Sequence, residues 1–245
     1  MEIDELARRL VAGGRRNAAV TGAGISVESG VQPFRGKGGL WEKMDPMKVA
    51  HIDAFNEDPV PYWEMRGPFI KGLRDIRPNP GHIALAAMQR EGLLGPIITQ
   101  NIDGLHSAAG STDVIEFHGS VRTLSCTSCG SRIPSLEANL DDRPPRCACG
   151  GVLRPDVVFF GEAIPPAAMA RAERAARGCA VMLVVGTSAV VHPAAAIPLL
   201  ARSAGALVVE VNPEPTPLTP EADLFLEGPS GEVLPHILDA ALAIR

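Results

Sequence analysis

The chain has 245 residues, of which 46% are hydrophobic, and its formal net charge is -5 at pH 7. This length can bury a full core and slightly exceeds one typical domain, so we predict a large domain with a smaller insertion. The sequence contains no basic run, which argues against a nucleic-acid partner. It has no apolar run of membrane-spanning length and no signal peptide, so it predicts a soluble, cytoplasmic protein without a membrane partner.

Short apolar segments alternate with helical patterns along the chain. The predicted strands are residues 17–20, 96–99, 114–117, 181–185 and 206–211. The predicted helices are residues 2–12, 81–91, 166–177, 193–204 and 231–243. This alternation predicts an α/β fold with a doubly wound parallel sheet, whose ligands bind at the carboxyl ends of the strands.

Two regions interrupt the alternation. Residues 39–77 contain four prolines and no convincing strand, and residues 122–153 contain four of the five cysteines. We interpret both as insertions that form a smaller module over the sheet. The large domain would then comprise residues 1–38, 78–121 and 154–245.

The first predicted strand runs into a turn that contains Gly22 and Gly24. Such a glycine pair lets a backbone approach a pyrophosphate closely. The pattern is weak by itself, because Val27 occupies the position of the usual third glycine and no acidic residue closes a second strand about twenty residues later. The glycine pair is equally compatible with a tight turn that binds no ligand. If a dinucleotide binds here, other residues must contact its ribose.

The cysteines carry the strongest local pattern. Two pairs, Cys126-x-x-Cys129 and Cys147-x-Cys149, are separated by seventeen residues and supply four thiolates, which suits tetrahedral Zn²⁺. Four protein ligands leave no open position, so the predicted zinc is structural. Cys179 precedes an apolar strand and is interpreted as a small core residue.

Polar residues and a histidine follow two of the predicted strands. Gln100, Asn101 and Asp103 come after one buried strand, and His118 after the next. Histidine is the side chain whose ordinary pKa lies near neutrality, so His118 is a candidate general base beside a polar pocket. The alternatives are a histidine that only satisfies hydrogen bonds at a strand end, and an Asn and Asp that only cap a helix.

In their order along the chain, these motifs resemble the sirtuin family of NAD-dependent protein deacylases. The resemblance rests on residues 22–26 with 34–35, 78–82, 99–106, 117–119, the four cysteines, 153–162, 186–188 and 211–212. It implies a Rossmann-like NAD-binding domain and a smaller module made of a helical insertion and a zinc ribbon. NAD and an acylated lysine of a protein substrate would meet in the cleft between them.

The resemblance also implies residue roles. The acyl oxygen would attack C1′ of the nicotinamide ribose, and His118 would then deprotonate a ribose hydroxyl, with Asn101 as the second catalytic residue. The implied cofactor-binding residues are Gly22, Ala23, Gly24, Phe34, Arg35, Gln100, Asn101, Ile102, Asp103, Gly186, Thr187, Ser188 and Asn212. The implied substrate-binding residues are Val158, Phe160, Gly161, Glu162 and Val191, with Val158 and Phe160 lining the lysine tunnel and the others offering backbone to a peptide strand.

The acyl preference depends on a second comparison with the family. Members that prefer succinyl or malonyl groups carry a Tyr and an Arg three residues apart, whereas this chain has Trp63 and Arg66. Counted back from Pro78, neither residue falls at the position of the family's Tyr or Arg. We therefore expect small neutral acyl groups, chiefly acetyl. The alternatives are a desuccinylase or demalonylase, a protein ADP-ribosyltransferase, and a non-enzymatic zinc-bearing NAD sensor. His192 has no assigned role.

Overall fold

The computed structural model describes residues 3–35 and 38–245. The strands in this part of the chain are β1 (Ala18–Thr21), β2 (Ile97–Thr99), β3 (Val114–Glu116), β4 (Gly119–Cys126), β5 (Arg132–Pro134), β6 (Leu153–Val157), β7 (Val181–Val185), β8 (Leu207–Asn212) and β9 (Leu224–Glu227). The α-helices are α1 (Ile3–Gly13), α2 (Pro46–Val49), α3 (Ile52–Glu57), α4 (Val60–Gly72), α5 (Pro80–Arg90), α6 (Leu105–Ala108), α7 (Pro166–Gly178), α8 (Ala196–Ser203) and α9 (Ser230–Ala243). Glu2, where the first helix was predicted to start, lies outside the described residues.

The large sheet has six parallel strands in the order β3-β2-β1-β7-β8-β9. The chain builds outward from β1 to β3 and then returns to place β7 on the other side of β1. Strand order therefore reverses between β1 and β7, where α/β sheets bind their ligands. This topology confirms the predicted fold class.

Helices cover both faces of this sheet. Strand β7 is buried along its whole length, and its side chains alternate between two cores. Leu183 and Val185 pack with α1, α5 and α9. Met182 and Val184 pack with α7 and α8 on the opposite face. The continuous apolar run at 181–185 therefore reflects a strand that is covered on both sides.

A second, antiparallel sheet has the order β5-β4-β6. Helices α3 and α4, from the proline-containing region, pack against it around a third apolar cluster that includes Trp63, Ile70 and Leu124. The indole Nε1 of Trp63 donates a hydrogen bond to the carbonyl of Leu153, at 3.1 Å. The two interrupting regions thus contact each other, while the exact domain boundaries stay a prediction.

Some elements differ from the sequence-based expectation. Strand β9 was not predicted, because it is a short, half-exposed edge strand after a proline-containing loop. Helix α8 begins at Ala196, three residues later than predicted. Helix α5 begins one residue early at Pro80, because the Asn79 side chain accepts hydrogen bonds from the backbone of Gly81 and His82. None of the described helices combines the length and apolarity that crossing a membrane requires.

Candidate active site

The candidate site lies at the carboxyl edge of the large sheet. In a parallel sheet the strands all end on the same side, so the segments that follow β1, β2, β7 and β8 converge there. The first three of these segments begin with Gly22, Gln100 and Gly186, and Asn212 is the last residue of β8. The structure thus brings together predicted cofactor residues that are up to 190 positions apart in the sequence.

Glycines allow the turns after β1 and β7 to touch. The backbone NH of Gly24 donates to the carbonyl of Gly186 at 2.7 Å. A Cβ on Gly24 would lie 2.6 Å from the Gly186 Cα, and Gly186 itself has φ +60°. Close contact between two turns is therefore enough to require these glycines, whether or not a pyrophosphate approaches them.

A buried polar cluster follows β1 and β2. Asn101 donates through Nδ2 to the Gly22 carbonyl at 3.0 Å and to Ser26 Oγ at 3.1 Å. Ser26 Oγ donates in turn to Asp103 Oδ2 at 2.8 Å, and Asp103 Oδ1 accepts from the Leu105 NH at 2.9 Å. Burial raises the pKa of Asp103. Ser26 was not singled out from the sequence, although it lies in the same turn as Gly22 and Gly24.

His118 is oriented by the backbone that follows β2. Its Nδ1 lies 3.1 Å from the carbonyl oxygen of Gln100. A carbonyl can only accept, so Nδ1 carries the proton and Nε2 keeps a free lone pair. Burial lowers the pKa of His118 from its ordinary 6.5, against the opposing effect of the hydrogen bond to Gln100. The imidazole is therefore neutral at pH 7 and can accept a proton at Nε2.

A second set of hydrogen bonds joins three of the strand ends. Gln100 Nε2 donates to Thr187 Oγ1 at 3.0 Å. Asn212 Nδ2 donates to the Thr187 carbonyl at 3.2 Å. Two other predicted cofactor residues, Arg35 and Ser188, are exposed and outside this network. The polar edge is thus a connected structure between β2 and β8.

Two buried histidines lie behind this edge. The Nε2 atom of His106 is 2.9 Å from Thr21 Oγ1, and that of His82 is 3.4 Å from Ser26 Oγ. Their rings contact at a centroid distance of 5.0 Å. Desolvation by burial lowers the pKa of His82 to about 4 and that of His106 to about 3. Both are therefore neutral at pH 7 and make hydrogen bonds within the fold.

A small cavity opens beside the polar cluster. It is lined by Ala23, Val31, Gln32, Phe34, Arg66, Phe69, Asn101, Ile102 and Asp103. The Arg66 guanidinium lies 4.7 Å from the ring centroid of Phe34 and 5.0 Å from that of Phe69. Its side chain is 7% exposed, and no carboxylate pairs with it in the described part of the chain. Arg66 therefore lines this cavity, while its register against the family pattern stays a prediction.

The segment that contains the predicted substrate residues Val158, Phe160, Gly161 and Glu162 forms backbone hydrogen bonds with the protein on both sides. The NH of Val158 donates to the His118 carbonyl at 2.9 Å. Phe160 exchanges backbone hydrogen bonds with Ala50 and Ile52 at 3.0 and 2.9 Å. The aromatic side chain of Phe160 contacts Trp41, which stacks on Phe34. The segment therefore connects His118 to the helical insertion.

The side chain of Glu162 is bound within the protein. Its carboxylate accepts from the Arg154 guanidinium at 2.9 and 3.1 Å and from the Phe159 NH at 2.9 Å. The side chain is thus already engaged, and any contact with a peptide would come from the backbone. Gly161, with φ +86°, turns the chain between these residues. Val191 lies in the loop after β7, where its carbonyl accepts from the Ala195 NH at 2.8 Å.

The four cysteines of the small module form one cluster. Their Sγ atoms all lie within 4.8 Å of one another. The distance is 3.5 Å between Cys126 and Cys149 and 3.8 Å between Cys129 and Cys147. Thiolates bound tetrahedrally to zinc at about 2.3 Å would be separated by about 3.8 Å, so the cluster fits Zn²⁺. The set is complete with four sulfurs, as a structural site requires.

The chain is similar to known proteins over most of its length. A family model described as "Sir2 family" matches residues 22–193. NAD-dependent protein deacylase 2 of Pyrobaculum aerophilum is 48% identical over 231 residues, which cover 94% of this chain and 92% of the relative.

Two solved structures extend the comparison to bound ligands. A Sir2 homolog–NAD complex has a TM-score of 0.89 and 40% identity, covering 98% of this chain and 94% of that one. A Sir2 variant with a deacetylated p53 peptide and 3′-O-acetyl ADP ribose has a TM-score of 0.91 and 33% identity, covering 98% of both chains.

Proposed function

This chain belongs to the Sir2 family, and from that premise we propose that it removes chiefly acetyl groups from protein lysine side chains, with His118 as general base. It is an NAD-dependent protein deacylase, as its relatives over nearly the whole chain are. The observation that carries the assignment of the base is the hydrogen bond between His118 Nδ1 and the Gln100 carbonyl. It leaves Nε2 unprotonated and fixes the direction in which the ring can accept a proton.

The carboxyl edge of the large sheet fits a nicotinamide dinucleotide. NAD supplies an electrophilic ribose carbon and nicotinamide as leaving group, so the products are nicotinamide, O-acyl-ADP-ribose and free lysine. Asn101 uses Nδ2 internally, which leaves its carboxamide oxygen as an acceptor for a ribose hydroxyl. The proposed role of His118 is to take the proton of a ribose hydroxyl, which then attacks the acyl carbon.

The other predicted contacts divide along the cleft. Gly22, Ala23, Gly24, Gly186, Thr187, Ser188 and Asn212 would hold the phosphates and adenosine ribose, whereas Phe34, Arg35, Gln100, Ile102 and Asp103 would hold the nicotinamide side. Phe34, Ile102 and Asp103 line one cavity, which supports their grouping on the nicotinamide side. Ala23 lines the same cavity and would lie where the two groups meet.

The substrate is proposed to be an acylated lysine in an extended peptide. Val158 and Phe160 would line the lysine tunnel next to His118, and Gly161, Glu162 and Val191 would offer backbone groups. Zn²⁺ would be held by Cys126, Cys129, Cys147 and Cys149 and would stabilise the small module. Since the four sulfurs complete a tetrahedral site, the metal would take no part in the reaction.

The test is turnover on a peptide panel. Purified protein is incubated with NAD and acetyl, propionyl, butyryl or succinyl peptides, and the products are measured by mass spectrometry. We expect free lysine, nicotinamide and O-acetyl-ADP-ribose in equal amounts. ADP-ribose that remains on protein would indicate a transferase, and NAD binding without turnover would indicate a sensor. Either result would contradict the proposal.

One observation favours a second candidate, the removal of acidic acyl groups. Arg66 is a buried cation that lines the cavity without a carboxylate partner in the described part of the chain. A buried charge without a partner is costly, and a succinyl or malonyl carboxylate would supply one. Arg66 also packs on two aromatic rings, which offsets part of that cost and keeps acetyl as the first candidate.

A further inference from the structure

Glu210 lies in β8, two residues before Asn212, and its side chain is fully buried. No cation pairs with its carboxylate among the described residues; its partners are one amide and two hydroxyls. Burying a carboxylate is expensive unless hydrogen bonds replace its hydration. A carboxylate at this position in the sheet therefore depends on its three hydrogen-bond donors.

Two of its partners come from the loop after β8. Thr216 Oγ1 donates to Glu210 Oε1 at 2.5 Å, and Thr219 Oγ1 donates to Oε2 at 2.6 Å. Each hydroxyl also accepts from a backbone NH, Thr216 from Leu218 and Thr219 from Thr216. Because a carboxylate only accepts, both hydroxyl protons must point toward Glu210. The carboxylate thus anchors the loop.

The third partner is Asn212, a predicted cofactor residue. Its Nδ2 donates to Glu210 Oε1 at 2.9 Å and to the Thr187 carbonyl at 3.2 Å. Neither acceptor can donate, so the carboxamide has only one possible orientation. Its Oδ1 accepts no hydrogen bond from the described residues and is not sealed from solvent. Asn212 therefore presents an acceptor, and only an acceptor, at the carboxyl edge.

We propose that Glu210 is a positioning and specificity-determining residue for the dinucleotide. Through Asn212 it presents a fixed acceptor to a hydroxyl of the adenosine ribose. A phosphate on that hydroxyl would bring acceptor oxygens and negative charge toward Asn212 Oδ1 and the buried carboxylate. Glu210 thereby favours NAD over its 2′-phosphorylated form. This inference rests on the proposed placement of the adenosine ribose at Asn212.

The first experiment measures binding of NAD, ADP-ribose and NADP by calorimetry, with Glu210→Gln as the test variant. A glutamine can turn its amide nitrogen toward Asn212, so that only the 3.2 Å contact with the Thr187 carbonyl still orients the carboxamide and its acceptor is less well fixed. We expect NAD and ADP-ribose to bind about tenfold more weakly, the scale of one charge-assisted hydrogen bond, and the preference for NAD over NADP to fall by a similar factor. In turnover, KM for NAD should rise by that factor while kcat and KM for the peptide stay within about twofold.

A matched control separates this role from stability. Thr216→Val removes a loop anchor but leaves the contact between Glu210 and Asn212, so it should lower Tm and leave NAD affinity near wild type. In an Asn212→Ala background, Glu210→Gln should weaken NAD binding no further, because the effect passes through Asn212. If the glutamine variant does not fold, Glu210→Asp replaces it, because the shorter side chain moves the carboxylate away from Asn212 by one methylene. The same loss of NAD affinity and selectivity is expected.

Unchanged NAD affinity and selectivity in the Glu210 variant would overturn the inference, as would effects at positions 210 and 212 that simply add. The binding measurements need no turnover. A wild-type protein that binds NAD but releases no O-acyl-ADP-ribose would contradict the proposed function, while the calorimetry still decides the role of Glu210.

Discussion

The two sides of the cleft are built by different means. At the carboxyl edge of the large sheet, Asn101, Asp103 and Asn212 are at most 9% exposed, and every one of them is held by internal hydrogen bonds. In the cysteine module, strand β5 has no buried residue, and Cys129 and Cys149 are exposed. The large sheet thus keeps its polar edge through packing, whereas the cysteine-bearing end of the small module, beyond the apolar cluster around Trp63, depends on its four sulfur atoms. Substitutions at the edge of the large sheet should therefore abolish catalysis without unfolding the protein, whereas substitutions of the cysteines should unfold the part of the small module that they hold.

The largest expected effect concerns the cysteine cluster. Cys126→Ala or Cys147→Ala should release zinc and unfold the small module, because metal binding contributes about 10 kcal/mol or more to such sites. Deacylation should become undetectable, while amide exchange in the large sheet stays slow. Cys179→Ala, which changes a cysteine in the large core, should retain one zinc per chain by metal analysis. Full activity without zinc would show that the small module does not depend on its metal cluster.

Replacement of the base should lower activity and leave the structure unchanged. His118→Ala should lower kcat/KM by about 100-fold or more, the usual scale for a positioned base, with zinc content and ADP-ribose binding near wild type. In the wild-type enzyme, the acid limb of kcat/KM should lie below pH 6.5, because burial lowers the pKa of His118. His236→Ala, on the exposed face of α9, is the control. Normal turnover in the His118 variant would exclude it as the base.

Acid should weaken the large sheet through its buried histidines. The pKa values of His82 and His106, about 4 and about 3 in the folded protein, lie below the ordinary 6.5, so the unfolded chain binds more protons between these values. The stability present above pH 6.5 should fall by up to about 2.7 kcal/mol per pH unit as the pH drops toward 4.

Urea unfolding of the zinc-loaded protein at pH 7.5, 5.5 and 4.5 measures this slope. A variant with His82→Gln and His106→Gln should lose most of it, whatever its stability at pH 7.5. An equal slope in the variant would show that other groups cause the acid sensitivity.

The smallest expected effect concerns the acyl group. Acetyl peptides should exceed succinyl peptides in kcat/KM by about tenfold, or roughly 1.4 kcal/mol, because a carboxylate loses hydration in a tunnel lined by Val158 and Phe160. Arg66→Met should change acetyl turnover little, and Arg66→Lys is the control that keeps the charge. Faster succinyl turnover that collapses in Arg66→Met would establish the second candidate function.

Sequence patterns predicted the large-scale features well, for physical reasons. Buried parallel strands such as 181–185 carry long apolar runs, and four thiolates at this spacing have few other uses. Three features escaped because they depend on tertiary contacts. Glu210 looks like an ordinary strand residue until its three donors are seen, and Ser26 is a turn serine until Asp103 is beside it. The burial of Arg66 against two aromatic rings is visible only in the fold.

The turns after β1 and β7 contact each other so closely that substitutions at their glycines should fail for steric reasons alone. A side chain at Gly24 or Gly22 would meet the second turn at 2.6 or 2.8 Å, so alanine there should force the two strand ends apart. A saturation screen for activity would score these positions as invariant even if they never touched a ligand. In such a screen, intolerance at the glycines reports the width of the crevice, and only polar positions such as Asn212 report what the crevice binds.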